Sequence, residues 1–201
     1  MHYSFLALGD SYTIGEQVLL AQNFPYKTVQ LLRKKGLNFY APEIIATTGH
    51  TIEELENAIN ETITLHDYSI VCLLIGVNNQ YKGISVEDFK PSFKKLLLKA
   101  LEFAGNKPTH VFILSIPDWG ITPFAADKDI QKITSEIDAY NLVCKTMAVK
   151  YGANFIDITA SQRADSGKEG FLVADKLHPG EKEYAKWAAL LSEEINTLLR
   201  N

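Results

Sequence analysis

The feature of this sequence that most restricts its fold is a regular alternation of short apolar runs with longer amphipathic segments. The runs Ser69–Ile75 and Thr109–Ser115 are apolar without alternation, which is typical of strands buried on both faces of a parallel sheet. The five predicted strands are Tyr3–Leu8, Glu43–Ala46, Ser69–Ile75, Thr109–Ser115 and Ala153–Asp157.

Helical segments lie between these strands. Thr51 and Glu54 have the spacing of a capping box, so a helix of roughly ten residues is expected after Thr51. Ser85 is a typical N-cap, and the helix that it starts is expected to run to about Ala104 and to end at Gly105. The remaining predicted helices are Tyr26–Lys35, Lys128–Lys150 and Gly180–Leu199. The alternation predicts the α/β fold class, with a five-stranded parallel sheet between helices on both faces in three layers, α/β/α.

Length and charge restrict the domain organisation and the partners. The chain has 201 residues, so residues 1–201 are expected to form a single domain. It has 20 Lys and Arg against 24 Asp and Glu, a net charge of −4. Nucleic-acid-binding proteins usually carry a basic excess, so no nucleic acid is expected as a partner.

Cysteine usage and apolar runs bear on the cellular location. Cys72 and Cys144 lie in apolar runs and are expected to be buried free thiols. No apolar run reaches the roughly 18–20 residues of a membrane-spanning helix, so no membrane span is expected. The N-terminal segment lacks the pattern of a signal peptide. A cytoplasmic location is therefore favoured, with removal of a leader before residue 1 as the alternative.

Polar residues follow every predicted strand at its carboxyl end. Ligands bind at this edge of open α/β sheets, so these residues are expected to lie near one another. The segments that follow the five strands are Gly9-Asp10-Ser11-Tyr12, Thr48-Gly49-His50, Gly76-Val77-Asn78-Asn79, Pro117-Asp118-Trp119-Gly120 and Asp175-Lys176-Leu177-His178.

Ser11 and His178 are candidates for nucleophilic catalysis. A serine hydroxyl becomes an effective nucleophile only when a base removes its proton. His178 is the candidate base, and Asp175 has the spacing to bond one ring nitrogen and leave the other free. Each residue also has an ordinary structural explanation: Ser11 as a cap, and Asp175 with His178 as a solvent-facing helix start.

Asn78 and Gly49 are candidates for stabilising a negatively charged oxygen. The Asn78 side-chain amide and the Gly49 backbone N–H are donors of the kind that form an oxyanion hole. Either residue alone would also be explained by the conformation of an ordinary turn.

Several other polar residues compete for these roles. His50 is an alternative base beside Gly49, and otherwise lines the site. Asp10 is expected to hold the turn by accepting hydrogen bonds from backbone N–H groups. His66 and His110 lie at the amino-terminal approach to the third and fourth strands, so they are expected at the opposite edge of the sheet.

Motifs for metals and phosphate groups are missing from the sequence. It has no His/Cys cluster at zinc spacing, no Walker-type loop and no G-x-G-x-x-G after the first strand, so no metal and no cofactor is expected. The G-x-S-x-G motif of ordinary α/β-hydrolases is also missing.

Four short motifs of this sequence resemble the sequence blocks of the SGNH hydrolases, also called the GDSL esterase/lipase family. They are Gly9-Asp10-Ser11, Gly49, Asn78 and Asp175-x-x-His178, and they occur in the family's order over residues 9–178. The resemblance implies a flavodoxin-like sheet and a serine esterase that acts through an acyl-serine. It also implies Ser11 as nucleophile, His178 as base and Asp175 as its partner. The implied oxyanion donors are Asn78 and the backbone N–H groups of Gly49 and Ser11.

Two positions depart from the pattern of the family. The first block has Tyr12 where leucine is usual, which is expected to alter packing behind the serine. The third block has Asn79 where the family usually has a structural aspartate. The support of the loop that carries Asn78 is therefore in question.

The substrate side of the site is expected to include Asp10, His50, Trp119 and Phe124. The segment Pro117–Phe124 is expected to line a pocket for the acyl or the alcohol group. Alternatively, its aromatic residues only hold this loop against the core. Apolar residues at 14 and 18–20 either form a lip near Ser11 or pack inside. No long lid is evident, which favours a small-molecule ester with a short acyl group, including acetyl.

Two further functions remain as alternatives. One is an acyltransferase that uses the same serine and an alcohol in place of water. The other is a non-catalytic, flavodoxin-like module that only binds a ligand.

Overall fold

A five-stranded parallel sheet runs through the centre of the protein in the strand order β2-β1-β3-β4-β5. The computed structural model describes residues 2–165 and 167–200. The strands are β1 (Phe5–Gly9), β2 (Glu43–Ala46), β3 (Ile70–Leu74), β4 (Val111–Leu114) and β5 (Asn154–Ile156). The predicted α/β class and its parallel sheet are confirmed.

The two central strands form the core of the sheet. β1 and β3 pair from Phe5 opposite Ile70 to Gly9 opposite Leu74. Every residue of both strands is buried. Helices cover both faces, which explains why these strands read as continuous apolar runs.

Eight α-helices occur among the described residues. They are α1 (Ser11–Ile14), α2 (Phe24–Lys34), α3 (Ile52–Glu61), α4 (Val77–Tyr81), α5 (Val86–Phe103), α6 (Ile130–Tyr151), α7 (Thr159–Asp165) and α8 (Glu181–Arg200). α2 packs against α8, and α3, α5 and α6 pack in sequence. Right-handed crossovers place these two groups on opposite faces of the sheet. Within the described part of the chain, every helix is too short or too polar to cross a lipid bilayer.

The long elements match the sequence predictions, with ends displaced by at most two residues. α2, for example, begins at Phe24 and not at Tyr26. The Asn23 side chain caps it by accepting the N–H of Tyr26 at 3.0 Å, and Pro25 lies in its first turn. The cap therefore explains why α2 begins two residues before the predicted start, while the helix itself is as predicted.

Three helices were missing from the sequence prediction. α1, α4 and α7 have four, five and seven residues, too few for a helical period to stand out in the sequence. They follow β1, β3 and β5, so all three add residues to the carboxyl edge of the sheet.

Both cysteines, Cys72 and Cys144, are buried free thiols, as expected. Burial raises the pKa of each thiol, because the interior disfavours the charged thiolate. Neither cysteine is therefore a nucleophile at neutral pH.

The strand order fixes where a ligand can bind. The chain passes from β1 to β2 on one side and then to β3 on the other, so its direction across the sheet reverses between β1 and β3. A crevice lies outside the carboxyl ends of two such strands. Ser11 follows β1 and Asn78 follows β3, so both residues lie at this crevice.

Candidate active site

Ser11 is the first residue of α1, two residues beyond the end of β1. Asp10 caps this short helix, and its Oδ1 accepts the N–H of Tyr12 at 3.0 Å. Gly9 ends the strand where a Cβ would lie 2.3 Å from the carbonyl oxygen of Leu74, so only glycine fits there. The tight turn from strand to helix thus fixes the backbone on both sides of Ser11.

His178 meets Ser11 from the loop before α8. Its Nε2 lies 2.9 Å from Ser11 Oγ, although the two residues are 167 positions apart. Its Nδ1 lies 2.7 Å from Oδ2 of Asp175. A carboxylate only accepts hydrogen bonds, so Nδ1 carries the proton and Nε2 is left to accept the serine hydroxyl.

Asp175 also holds the loop that carries the imidazole. Its Oδ1 accepts the backbone N–H groups of Leu177 at 2.8 Å and His178 at 3.0 Å. Partial burial acts to raise the pKa of Asp175, but hydrogen bonds from the His178 ring and from both N–H groups outweigh it and hold the pKa below its usual value. Asp175 is therefore ionised at neutral pH.

Tyr12, which stands where leucine is usual, packs on the imidazole of His178. The ring centroids of Tyr12 and His178 are 5.3 Å apart and the rings are tilted by 52°. On its other side Tyr12 packs near Trp187 of α8, with centroids 6.4 Å apart. The tyrosine thereby links the turn at Ser11 to the helix that follows His178.

Three potential oxyanion donors lie around Ser11. The Asn78 side-chain amide donates one N–H to the carbonyl of His50 at 2.9 Å, which orients the amide and leaves its second N–H. Gly49 has a φ of +85°, a conformation that favours glycine. The Ser11 backbone N–H is at the first position of α1, so no carbonyl of the same helix can accept it. All three residues line one cleft.

The cleft has a volume of about 230 Å³, and most of its wall is apolar. Trp119 is 5% exposed, and its Nε1 donates to Gln80 Oε1 at 2.7 Å. Trp119 therefore lines the cleft and also anchors its own loop. The sequence left these two roles as alternatives, and Trp119 has both. The apolar wall consists of Tyr12, Val77, Tyr81, Trp119, Phe124 and Leu177.

Two residues expected on the substrate side do not line the cleft. Asp10 is 1% exposed because its carboxylate is directed at the backbone of α1. The His50 ring is also outside the cleft wall, and its contribution is the backbone carbonyl that holds Asn78. His178 is the histidine that contacts Ser11, Asp10 holds the turn as expected, and neither the Asp10 side chain nor the His50 ring lines the cleft.

Other polar and apolar candidates also lie away from the cleft. His110 contacts the carbonyl of Ser69 at the amino end of β3, so it lies at the opposite edge, as expected. Ile14, Leu19 and Leu20 are exposed and do not line the cleft. Within residues 2–165 and 167–200, no group of three or more possible ligands is arranged to hold a metal ion.

The sequence interpretation missed the contribution of α4. Tyr81 walls the cleft, and Gln80 supports Trp119 from the same helix as Asn78. α4 has five residues, too few to show a helical period. Nothing in the sequence therefore indicated that Asn78, Gln80 and Tyr81 lie together around the site.

Asn79 supports the segment that carries Asn78 through hydrogen bonds of its side-chain amide. It is fully buried, its Oδ1 accepts the N–H of Ile52 at 3.1 Å, and its Nδ2 donates to Glu53 Oε2 at 3.3 Å. Asn79 thus ties α4 to the start of α3. An aspartate could still accept from Ile52, but it would face the Glu53 carboxylate, which explains the amide here.

Comparison with known proteins shows the family of this chain and confirms its fold. The model of the GDSL-like Lipase/Acylhydrolase family matches residues 7–186. The lipase/acylhydrolase from Enterococcus faecalis is similar in structure, with a TM-score of 0.76 and 19% identity over 97% of this chain and 96% of that one. No curated protein matches the chain by sequence.

Two further solved structures are similar. The psychrotrophic esterase EstA from Pseudoalteromonas sp., inhibited by monoethylphosphonate, has a TM-score of 0.75 and 14% identity over 98% of this chain and 99% of that one. The acetylxylan esterase Axe2 from Geobacillus stearothermophilus has a TM-score of 0.74 and 19% identity over 96% of this chain and 94% of that one. At these identities the likeness concerns the fold.

Replacement of Asn79 tests its bridge to Glu53. Asn79→Asp is expected to lower the free energy of unfolding at pH 7 by about 1–3 kcal/mol, because two carboxylates then face each other. The loss shrinks as pH falls towards 4, where one of them is protonated. Denaturant titration of the variant and of Asn79→Asp/Glu53→Gln measures this, and the double variant is expected to recover stability. Equal losses of unfolding free energy in the single and the double variant would contradict the hydrogen bond between Asn79 and Glu53.

Replacement of Asp10 tests its buried carboxyl. Burial raises the pKa of Asp10 to about 7, against the backbone hydrogen bonds that act to lower it. Between about pH 4 and 7 the native state then binds more protons than the unfolded state, so the free energy of unfolding falls as pH rises. Asp10→Asn keeps a capping side chain and is expected to flatten this slope. Denaturant titrations of the wild type and of Asp10→Asn across that pH range measure the slope of the free energy of unfolding against pH. Equal slopes in the two proteins would refute the raised pKa of Asp10.

Proposed function

The chain belongs to the GDSL-like lipase/acylhydrolase family and is a carboxylic ester hydrolase, and we propose that it cleaves short-chain acyl esters through a covalent acyl-serine at Ser11. The observation that carries this proposal is the 2.9 Å contact between His178 Nε2 and Ser11 Oγ. A ligand-binding module would have no need for a base aligned on a hydroxyl in this way.

In the proposed first step, Ser11 Oγ attacks the ester carbonyl carbon while His178 Nε2 takes the hydroxyl proton. Asp175 accepts from Nδ1 and stabilises the imidazolium that forms. The carbonyl oxygen becomes an oxyanion that accepts from Asn78, Gly49 and the Ser11 backbone. Loss of one such donor typically raises the barrier by roughly 3–4 kcal/mol.

Collapse of this intermediate breaks the bond to the alcohol. His178 returns its proton to the leaving oxygen, and the acyl group remains on Ser11. A water molecule then attacks the acyl-serine, with His178 as base again, and the acid is released. Ser11 regains its proton from His178, so protons and bonds balance over one cycle.

The size and lining of the cleft support a short acyl group. Its volume of about 230 Å³ lies below the roughly 300–1,000 Å³ of sites for drug-sized ligands. Trp119 and Phe124 pack edge to face, with centroids 6.1 Å apart, and limit the cleft on one side. The name of Axe2, an acetylxylan esterase, adds support for acetyl esters.

Loss of the base or the nucleophile tests the mechanism. Ser11→Ala and His178→Ala are each expected to lower kcat/KM for nitrophenyl acetate by at least about 1,000-fold, because proton removal and attack act as a unit. His66→Ala is the matched control, since His66 is exposed and follows no strand at the carboxyl edge. Retention of most activity in His178→Ala, or its loss in His50→Ala with the fold intact, would assign the base elsewhere.

A series of nitrophenyl esters from acetate to decanoate tests the acyl length. The wild-type kcat/KM is expected to be highest for acyl groups of two to about four carbons, since longer chains outgrow the cleft. Phe124→Ala opens the wall and is expected to shift the maximum to longer chains. Tyr40→Ala, an exposed aromatic stacked on His2, serves as the control and leaves the maximum in place. A wild-type maximum at eight carbons or more would exclude the short-chain proposal.

A further inference from the structure

A second and larger cavity lies beside the catalytic cleft. It has a volume of about 550 Å³, within the roughly 300–1,000 Å³ range of small-molecule sites. Tyr81 and Trp119 line both cavities, so the two cavities adjoin at these side chains. We call this second cavity the α4–α6 groove, and its main polar and aromatic lining is Gln80, Tyr81, Ser85, Trp119, Lys132 and Glu136.

Hydrogen bonds connect the α4–α6 groove to the oxyanion side of the site. The Gln80 amide accepts from Trp119 Nε1 at 2.7 Å and donates to Glu136 Oε2 at 2.8 Å. Gln80 is on α4, two residues after Asn78. A molecule that occupies the α4–α6 groove therefore lies next to the helix that positions the proposed oxyanion donor.

The α4–α6 groove offers groups that suit hydroxyl-rich molecules. Glu136 Oε1 lies 3.8 Å from Lys132 Nζ, too far for a direct hydrogen bond, so it remains an acceptor for a ligand. Tyr81 is 57% exposed, and its ring packs edge to face on Trp119 with centroids 5.3 Å apart. An exposed aromatic ring beside a carboxylate provides both an apolar surface and a strong acceptor.

Charge in the α4–α6 groove favours a neutral ligand. Two lysines, Lys128 and Lys132, are matched by two acidic residues, Asp129 and Glu136. Lys128 is further paired with Asp127 at 3.1 Å. With no excess of positive charge, the groove has no electrostatic preference for a phosphate or carboxylate ligand.

We propose that the α4–α6 groove binds the alcohol part of the ester, and that this alcohol is a neutral polyhydroxylated molecule of the size of a sugar unit. The proposal rests on the proposed function, in which the apolar cleft holds a short acyl group. An alkyl chain would leave the polar groups of the α4–α6 groove without partners, whereas hydroxyl groups both donate to and accept from them.

A bulky substitution in the α4–α6 groove tests this assignment. Lys132→Trp fills the groove from the surface of α6. Lys95→Trp is the control on α5, because each lysine lines a surface groove and faces a glutamate, Lys132 at 3.8 Å from Glu136 and Lys95 at 2.7 Å from Glu56. With sucrose monoacetate, Lys132→Trp is expected to lower kcat/KM about tenfold or more, mainly through KM. With methyl acetate, whose alcohol part is too small to reach the α4–α6 groove, both variants are expected to stay within about twofold of wild type.

The outcomes separate this inference from the proposed function. Equal effects of Lys132→Trp on the two esters, or no effect on sucrose monoacetate, would overturn the alcohol subsite while hydrolysis of nitrophenyl acetate continued to depend on Ser11. A preference for acetylated glucose phosphate over sucrose monoacetate would overturn the neutral class of alcohol.

Binding measurements keep the inference testable if no ester is turned over. Calorimetric titration of Ser11→Ala with sucrose monoacetate reports binding without hydrolysis. Adding Lys132→Trp is expected to weaken this binding about tenfold or more, and adding Lys95→Trp is expected to leave it unchanged. Equal binding by the two double variants would overturn the subsite even if the proposed function had failed.

Discussion

The hydrogen-bond chain from Asp175 through His178 to Ser11 is the interaction on which the proposed chemistry of this protein depends. It joins two segments 167 positions apart, at 2.7 Å on one side of the imidazole and 2.9 Å on the other. Asp175 is held ionised by donors from its own loop, so it fixes the ring tautomer and leaves Nε2 to the serine. In the proposed mechanism, the Ser11 hydroxyl has no base without this chain.

The fold brings these distant segments together through packing on one face of the sheet. α8 follows the histidine loop directly and packs against α2, where Phe24, Tyr184 and Trp187 form a buried aromatic cluster. At the start of α8, Glu181 accepts hydrogen bonds from Lys27 and Gln22. These contacts restrain the loop before α8, so the position of the imidazole is a consequence of helix packing and not of local sequence alone.

The sequence predicted those parts of the site that depend on strand order and motif spacing. Ser11, Asn78 and His178 follow strands or precede a helix, and parallel strands necessarily place such residues at one edge. It did not predict contacts made by short helices and buried polar groups. The turn role of Asp10 was expected but its burial was not, and the bridge from Asn79 to Glu53 depends on the approach of α3 to α4, which no periodic pattern encodes. Tertiary packing decided these details.

Labelling with a fluorophosphonate, followed by mass mapping of the modified peptide, shows directly whether Ser11 is an activated nucleophile. Such a reagent forms a covalent adduct with a serine only where a base has activated its hydroxyl. We expect a single adduct on Ser11 that is lost when His178 is replaced by alanine. An adduct on another residue, or ester hydrolysis that continues with Ser11 unlabelled at saturating reagent, would contradict it.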